Sequence, residues 1–141
     1  MKNIIFIIGI IISCHSCSQN NEIEMEDNSI IGTWKLTSSY VNTMSGSNGE
    51  WKTVENGYTY TFNIDGSFES DRFIECVRGS YELSDIKLTL NYPCSNFDSG
   101  FYENPKGILI ESYRIINNEL ILSPKYILCE NCAFKFEKVI E

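Results

Sequence analysis

From Ile31 onward the chain alternates apolar and polar residues with a period of two, and short turn signals punctuate the alternation. A period of two sends successive side chains to opposite faces of a pleated strand, so this pattern folds as half-buried sheet and not as helix. Trp34, Leu36 and Tyr40 alternate with polar residues, as do Tyr58, Tyr60, Phe62 and Ile64. Tyr81 with Leu83, then Ile86, Leu88 and Leu90, continue the pattern. The runs Ile108 to Ile116 and Leu120 to Leu128 are apolar enough for inner strands, and Phe134 and Phe136 alternate with Lys135 and Glu137. Asp65-Gly66, Ser84-Asp85 and Asn117-Asn118 fall between the runs, where hairpin turns need such residues. The spacing predicts eight strands, at 33–41, 51–63, 67–75, 79–84, 86–92, 108–116, 119–128 and 133–140. The expected fold class is therefore all-β: an eight-stranded antiparallel up-and-down barrel, whose closure removes exposed edges.

Connection lengths give this barrel two unlike ends. The three turns named above are tight and fall at one end. The connections at 42–50, 76–78, 93–107 and 129–132 fall at the other, and two of them are long. A ligand or partner is expected at the loop-rich mouth, because binding residues sit disproportionately on loops held by a rigid scaffold. Trp51, Phe97, Phe101 and Tyr102 lie in or beside the long loops and are the candidate ligand-binding residues. An eight-stranded barrel either fills with side chains or holds one small ligand. Eight Tyr, eight Phe and two Trp, with Trp34, Tyr58, Tyr60, Phe62 and Phe136 at inward positions, favour the filled form.

The first residues set the address. Met1-Lys2-Asn3 is followed by an apolar run from Ile4 to Ile12 and then Ser13-Cys14, the plan of a secretory signal peptide. The run is too short for a membrane span, which needs about 20 apolar residues. Ile11-Ile12-Ser13-Cys14 resembles the lipobox of bacterial lipoproteins, which implies acylation of Cys14 as the mature N-terminus. Cys17 is the runner-up lipid site, with His15 fitting the box poorly. The chain then divides into a signal peptide (1–13), an acidic tether (14–29) and one barrel domain (30–141). Glu22, Glu24, Glu26 and Asp27 make the tether resemble either an envelope sorting signal or a plain solvated spacer. Loss of Lys2 takes the net charge from -8 to about -9, which argues against a nucleic-acid partner and against a basic membrane-docking face.

Four cysteines remain in the body, Cys76, Cys94, Cys129 and Cys132, and all lie at the loop-rich end. In an oxidising compartment an even number reads first as disulfides, with a structural zinc site as the alternative. Of three possible pairings, Cys76–Cys94 with Cys129–Cys132 ties neighbouring connections at the mouth. Cys129-Glu130-Asn131-Cys132 joins two strands, so it lacks the helix N-terminus that redox catalysis needs. Asn63 to Gly66 resembles part of a calcium loop, but Thr61 and Arg72 stand at its first and twelfth positions. His15 is the only histidine and lies outside the domain, so no Ser-His-Asp or multi-His constellation forms there. Glu69, Asp71 and Glu75 offer a carboxylate pair, or simply a solvated strand face. The expectation is a non-enzymatic protein without metal or cofactor.

Gly32-Thr33-Trp34 at the start of the first strand resembles the Gly-x-Trp of lipocalins, in which the Trp packs across the closed end of the barrel. A nearer resemblance is to lipocalin-like domains of bacterial lipoproteins, carried by Phe62 to Phe68, Gly79-Ser80-Tyr81 and Leu120-Ile121-Leu122. Only Lys135 and Lys138 stand where lipocalins place an Arg against the Trp. The resemblance implies a monomeric, lipid-anchored envelope protein, in the outer membrane of a Gram-negative bacterium, that binds a small apolar or amphipathic ligand at the mouth. The alternative is a solid barrel acting as a protein-interaction or inhibitor module. The tether enters at the Trp34 end, so the lipid would hold the closed end near the membrane and the mouth away from it.

Overall fold

The computed structural model describes residues 29–41, 49–101, 105–126 and 131–140. Among them the strands are β1 (Gly32–Val41), β2 (Glu50–Thr53), β3 (Thr59–Phe62), β4 (Ser67–Ser70), β5 (Arg78–Ser84), β6 (Lys87–Asn91), β7 (Ile108–Ile116), β8 (Glu119–Pro124) and β9 (Ala133–Lys138). Every pairing is antiparallel, and β1 also pairs with β9, which closes the sheet. β2 and β3 lie end to end along one edge of β1, opposite residues 38–41 and 32–35. They fill a single barrel position, so the barrel is eight-stranded, as the alternation predicts.

The single strand expected at 51–63 is interrupted, because Glu55-Asn56-Gly57 turns out of the ladder. Val54 N still donates to Thr37 O at 2.8 Å and Leu36 N to Tyr58 O at 3.0 Å, so β1 stays paired across the break. The approach there is close enough to require glycine: a Cβ on Gly57 would lie 1.9 Å from the Leu36 carbonyl oxygen. β1 bulges at the same level, pairing Leu36 with Phe136 but Ser38 with Lys135. The extra residue, Thr37, shifts the strand's parity. Trp34 and Leu36 point inward, whereas Tyr40 beyond the bulge packs beside Trp51.

Two other strands end earlier than the pattern suggests. The strand expected to reach residue 75 stops at Ser70, whose Oγ donates to Thr59 O at 2.6 Å and accepts from Arg72 N at 3.1 Å. Asp71 Oδ1 accepts from both the backbone N and the hydroxyl of Thr59. The strand expected to reach 128 stops at Pro124, and one further backbone bond, Lys125 N to Ile110 O at 2.9 Å, still ties the chain to β7 just beyond it. The tight turns are as expected: Asn117 and Asn118 take φ values of 52° and 60°, and Gly66 takes 81°.

The core runs along the barrel axis. Trp34, Tyr60, Phe62, Phe68, Leu88, Leu90, Leu109, Leu120, Leu122 and Phe136 are sealed from solvent, so side chains fill the interior. Trp34 Nε1 donates to Ile30 O at 2.7 Å, which satisfies its one donor at the closed end. Lys138, its register partner on β9, sets its ammonium 5.5 Å from the indole ring. A lysine cation thus faces the Trp34 ring at the closed end.

Two substitutions test this frame. Gly57→Ala pushes a methyl into the Leu36 carbonyl and is expected to cost about 1–3 kcal/mol, read as a lower urea midpoint with an unchanged slope. Cys76 and Cys94 form a disulfide across 18 residues of sequence. Replacing both by Ser is expected to cost about 3 kcal/mol in the same assay.

Candidate functional site

Inward parity carried to the mouth end of the barrel delivers charge as well as apolar surface. On β4 the inward series Phe68 and Ser70 continues to Arg72; on β7 the series from Leu109 continues to Glu111. Arg72 Nη1 lies 3.5 Å from Glu111 Oε1, with the two side chains 7% and 1% exposed. Tyr126 donates its hydroxyl to Glu111 Oε1 at 2.5 Å. Arg72 Nη1 donates to the Tyr60 hydroxyl at 3.1 Å, and the Tyr60 and Tyr92 hydroxyls share a hydrogen bond of the same length. The guanidinium is ringed by Phe73 at 4.9 Å, Tyr58 at 5.2 Å, Tyr126 at 5.6 Å and Phe101 at 5.8 Å. Phe97 stacks on Tyr92 at 4.7 Å and meets the edge of Phe73 at 5.0 Å. Together these groups plug the mouth.

Burial sets the protonation states. It pushes the tyrosine hydroxyls of Tyr58, Tyr60, Tyr92 and Tyr126 upward, so they stay neutral and serve as hydrogen-bonding groups. Burial opposes the Arg72 charge, but the surrounding tyrosines and Glu111 keep it protonated. The Glu111 carboxyl is raised above the ordinary range by burial, against the pull of Arg72 and the Tyr126 hydrogen bond. Its Oε2 has no hydrogen-bond partner among the described residues. Glu111 is the one buried carboxylate among the described residues, while Glu69 and Asp71 share an open hollow of about 280 Å³ on the outer face of β3 and β4. No described cluster of three or more His, Cys, Asp or Glu has the placement to hold a metal ion.

The ligand site expected at the barrel mouth is closed by the plug, and a concave space lies instead on the outer face near the loop-rich end. A groove of about 630 Å³ crosses the outer faces of β7, β8, β9 and β1. Its floor is made of short outward side chains, Ser112 opposite Ser123 and Ala133 opposite Tyr40. Tyr40 and Trp51 form an aromatic wall, their ring centres 5.5 Å apart, and Arg114 and Lys125 stand on β7 and beyond β8. A second hollow of about 280 Å³ shares Ser112, Arg114 and Ser123 and extends the trough toward Ile86.

The candidate mouth residues therefore separate. Phe97 is buried in the plug, and Phe101 caps it against Tyr126 at 5.3 Å. Trp51 is 40% exposed on the outer face, in the groove. Tyr102 lies outside the described residues, as do Cys14, Cys17 and Cys129. Cys132 is disulfide-bonded. Of the acids considered above, Glu69 pairs with Arg78 at 3.2 Å on the solvated face and Asp71 serves the β4 turn. The residue pattern alone does not single out Arg72 and Glu111 as a pair. The signal it does carry is opposite charges at inward parity on two strands that a barrel brings face to face.

Removing one partner of a buried pair leaves an uncompensated charge, so Arg72→Met is expected to cost about 3–5 kcal/mol. The double variant Arg72→Met/Glu111→Leu is expected to recover most of that loss in the same denaturation assay. The pH dependence has a definite sign. Glu111 holds its proton to a higher pH in the folded protein than in the unfolded chain. Its stabilising contribution is thus full below the unfolded pKa and is lost as pH rises through the folded one. Glu111→Gln is expected to flatten this fall, read by comparing denaturation midpoints of the two proteins from about pH 4 to 8.

Comparison with known proteins agrees with the barrel. A family model described as a lipocalin-like domain matches residues 30–122, from just before β1 into β8. No curated protein matches the chain. Among solved structures, an uncharacterized protein from Bacteroides eggerthii DSM 20697 is similar, at 13% sequence identity and a TM-score of 0.41, over 79% of this chain and 100% of that one. With the family match running through most of the barrel, the chain belongs to the lipocalin-like domain family.

Proposed function

We propose that this protein is a lipid-anchored, non-enzymatic component of the cell envelope that binds a small amphipathic ligand in the outer groove at the loop-rich end. The observation that carries the binding reading is the groove itself: about 630 Å³ beside an exposed tryptophan, where ligand sites begin near roughly 300 Å³. The interior supports it by contrast, since aromatic and leucine side chains occupy the axis and the Arg72–Glu111 pair closes the mouth. The anchoring reading rests on the leader and lipobox-like residues, with Cys14 as the acylated residue and Cys17 as the runner-up. The tether then holds the Trp34 end nearer an outer membrane and leaves the groove's end facing away.

The filled barrel also favours a second reading, a protein-interaction or inhibitor module that uses the same outer face. A small molecule is preferred because the groove is a local concavity, whereas a protein partner needs about 800 Å² of surface on each side.

Native mass spectrometry of protein extracted from its own membrane tests these points together. The expected mass carries the acyl chains, two disulfides and one small ligand, and Trp51→Ala loses the ligand while keeping the rest. Wild-type protein with no ligand, or ligand retained in Trp51→Ala, would contradict the groove as the site. Cys14→Ala is expected to release the protein from the membrane and Cys17→Ala to leave it anchored; the reverse pattern would reassign the lipid. Strong bilayer protection of residues 93–107 against surface labelling would overturn the proposed orientation.

A further inference from the structure

We infer that the groove's ligand is an organic anion, with its acid group held by Arg114 and Lys125 and an apolar ring face against Trp51 and Tyr40. This inference rests on the groove being the binding site and adds the ligand's chemical class. The chain is acidic, with a net charge of -8, so an anion-attracting surface has to be built locally. Outward positions on these strands supply it. Register sets Lys87 opposite Ser112, and Arg114 opposite Ile121, which in turn pairs with Lys135.

The cations are not equivalent. Lys135 is engaged, with Glu119 Oε2 at 3.1 Å and the Trp51 ring at 5.0 Å. Its two contacts hold the indole as one wall of the trough and neutralise its own charge. The side chains of Arg114 and Lys125 make no ion pair among the described residues, and no described carboxylate lines the groove. Elsewhere Lys52, Arg78 and Lys106 have carboxylate partners. Two cations without an ion-pair partner among the described residues thus border a concave space that also offers the hydroxyls of Ser112 and Ser123. An acid oxygen there gains charge-assisted hydrogen bonds, which are about twice as strong as neutral ones. The aromatic wall supplies the complementary contact for a flat apolar ring.

A matched pair of fluorescent probes isolates the charge: anilinonaphthalene sulfonate and the neutral N-phenylnaphthylamine, which share their rings and differ by the sulfonate. Each is titrated into the full wild-type chain, into Trp51→Ala and into Arg114→Ser/Lys125→Ser. The sulfonate probe is expected to bind roughly tenfold tighter to wild type, a preference worth about 1.4 kcal/mol. That preference should shrink with added salt, as attraction between exposed charges does. Arg114→Ser/Lys125→Ser should bring the two affinities within about twofold by weakening the sulfonate alone, and Trp51→Ala should weaken both. Equal affinities in wild type, or a preference that survives the double variant, would overturn the anion assignment and leave the groove as a binding site. Failure of both probes to bind, or binding indifferent to Trp51, would instead overturn the groove reading itself.

Discussion

The buried pair of Arg72 and Glu111 is the constraint around which this barrel is arranged. An ion pair sealed from water survives only if its members stay in register, because separating them leaves a charge without solvent or partner. Each member reaches the axis by a different route. Glu111 comes from a regular strand, β7, at the end where Pro124 faces it across the ladder. Arg72 comes from the turn that ends β4, which Ser70 and Asp71 fasten to Thr59, and the Cys76–Cys94 disulfide ties the same connection to the one leaving β6. The tyrosines then fill in as neutral hydrogen-bonding groups. Polar chemistry inside this barrel therefore closes it.

Closure of the interior gives the outer face its importance. The turn at Gly57 packs against the Leu36 carbonyl, next to the bulge at Thr37. The bulge changes the parity along β1 and sends Tyr40 outward to meet Trp51. Without that shift the aromatic wall would not stand beside the short side chains of Ser123 and Ala133. A local irregularity in the strand is thus what turns a flat sheet face into a trough.

Much of this was legible from residue pattern. Period-two alternation and the Asn-Asn and Asp-Gly turns identify the strands, their closure and the unlike ends, because they depend on local backbone preference alone. The Cys76–Cys94 bridge follows from topology, since neighbouring connections meet at the mouth. The interruption at Glu55 to Gly57 was hidden, because a glycine among polar residues reads equally as strand or turn until its neighbour's carbonyl is in place. Phe97 and Trp51 look alike as loop aromatics, yet one packs into the plug and the other faces solvent. Burial of a loop residue depends on what lies beneath it, and here that was an ion pair contributed by distant strands.

The central claim is that this lipocalin-like domain binds on its outer face because its interior is filled. Intermolecular nuclear Overhauser effects to a bound anilinonaphthalene sulfonate, measured on methyl-labelled protein, test it most directly. The account predicts contacts to the Ala133 methyl and the Trp51 ring, which border the groove. Contacts to the methyls of Leu88, Leu109 or Leu122, all sealed along the barrel axis, would contradict it.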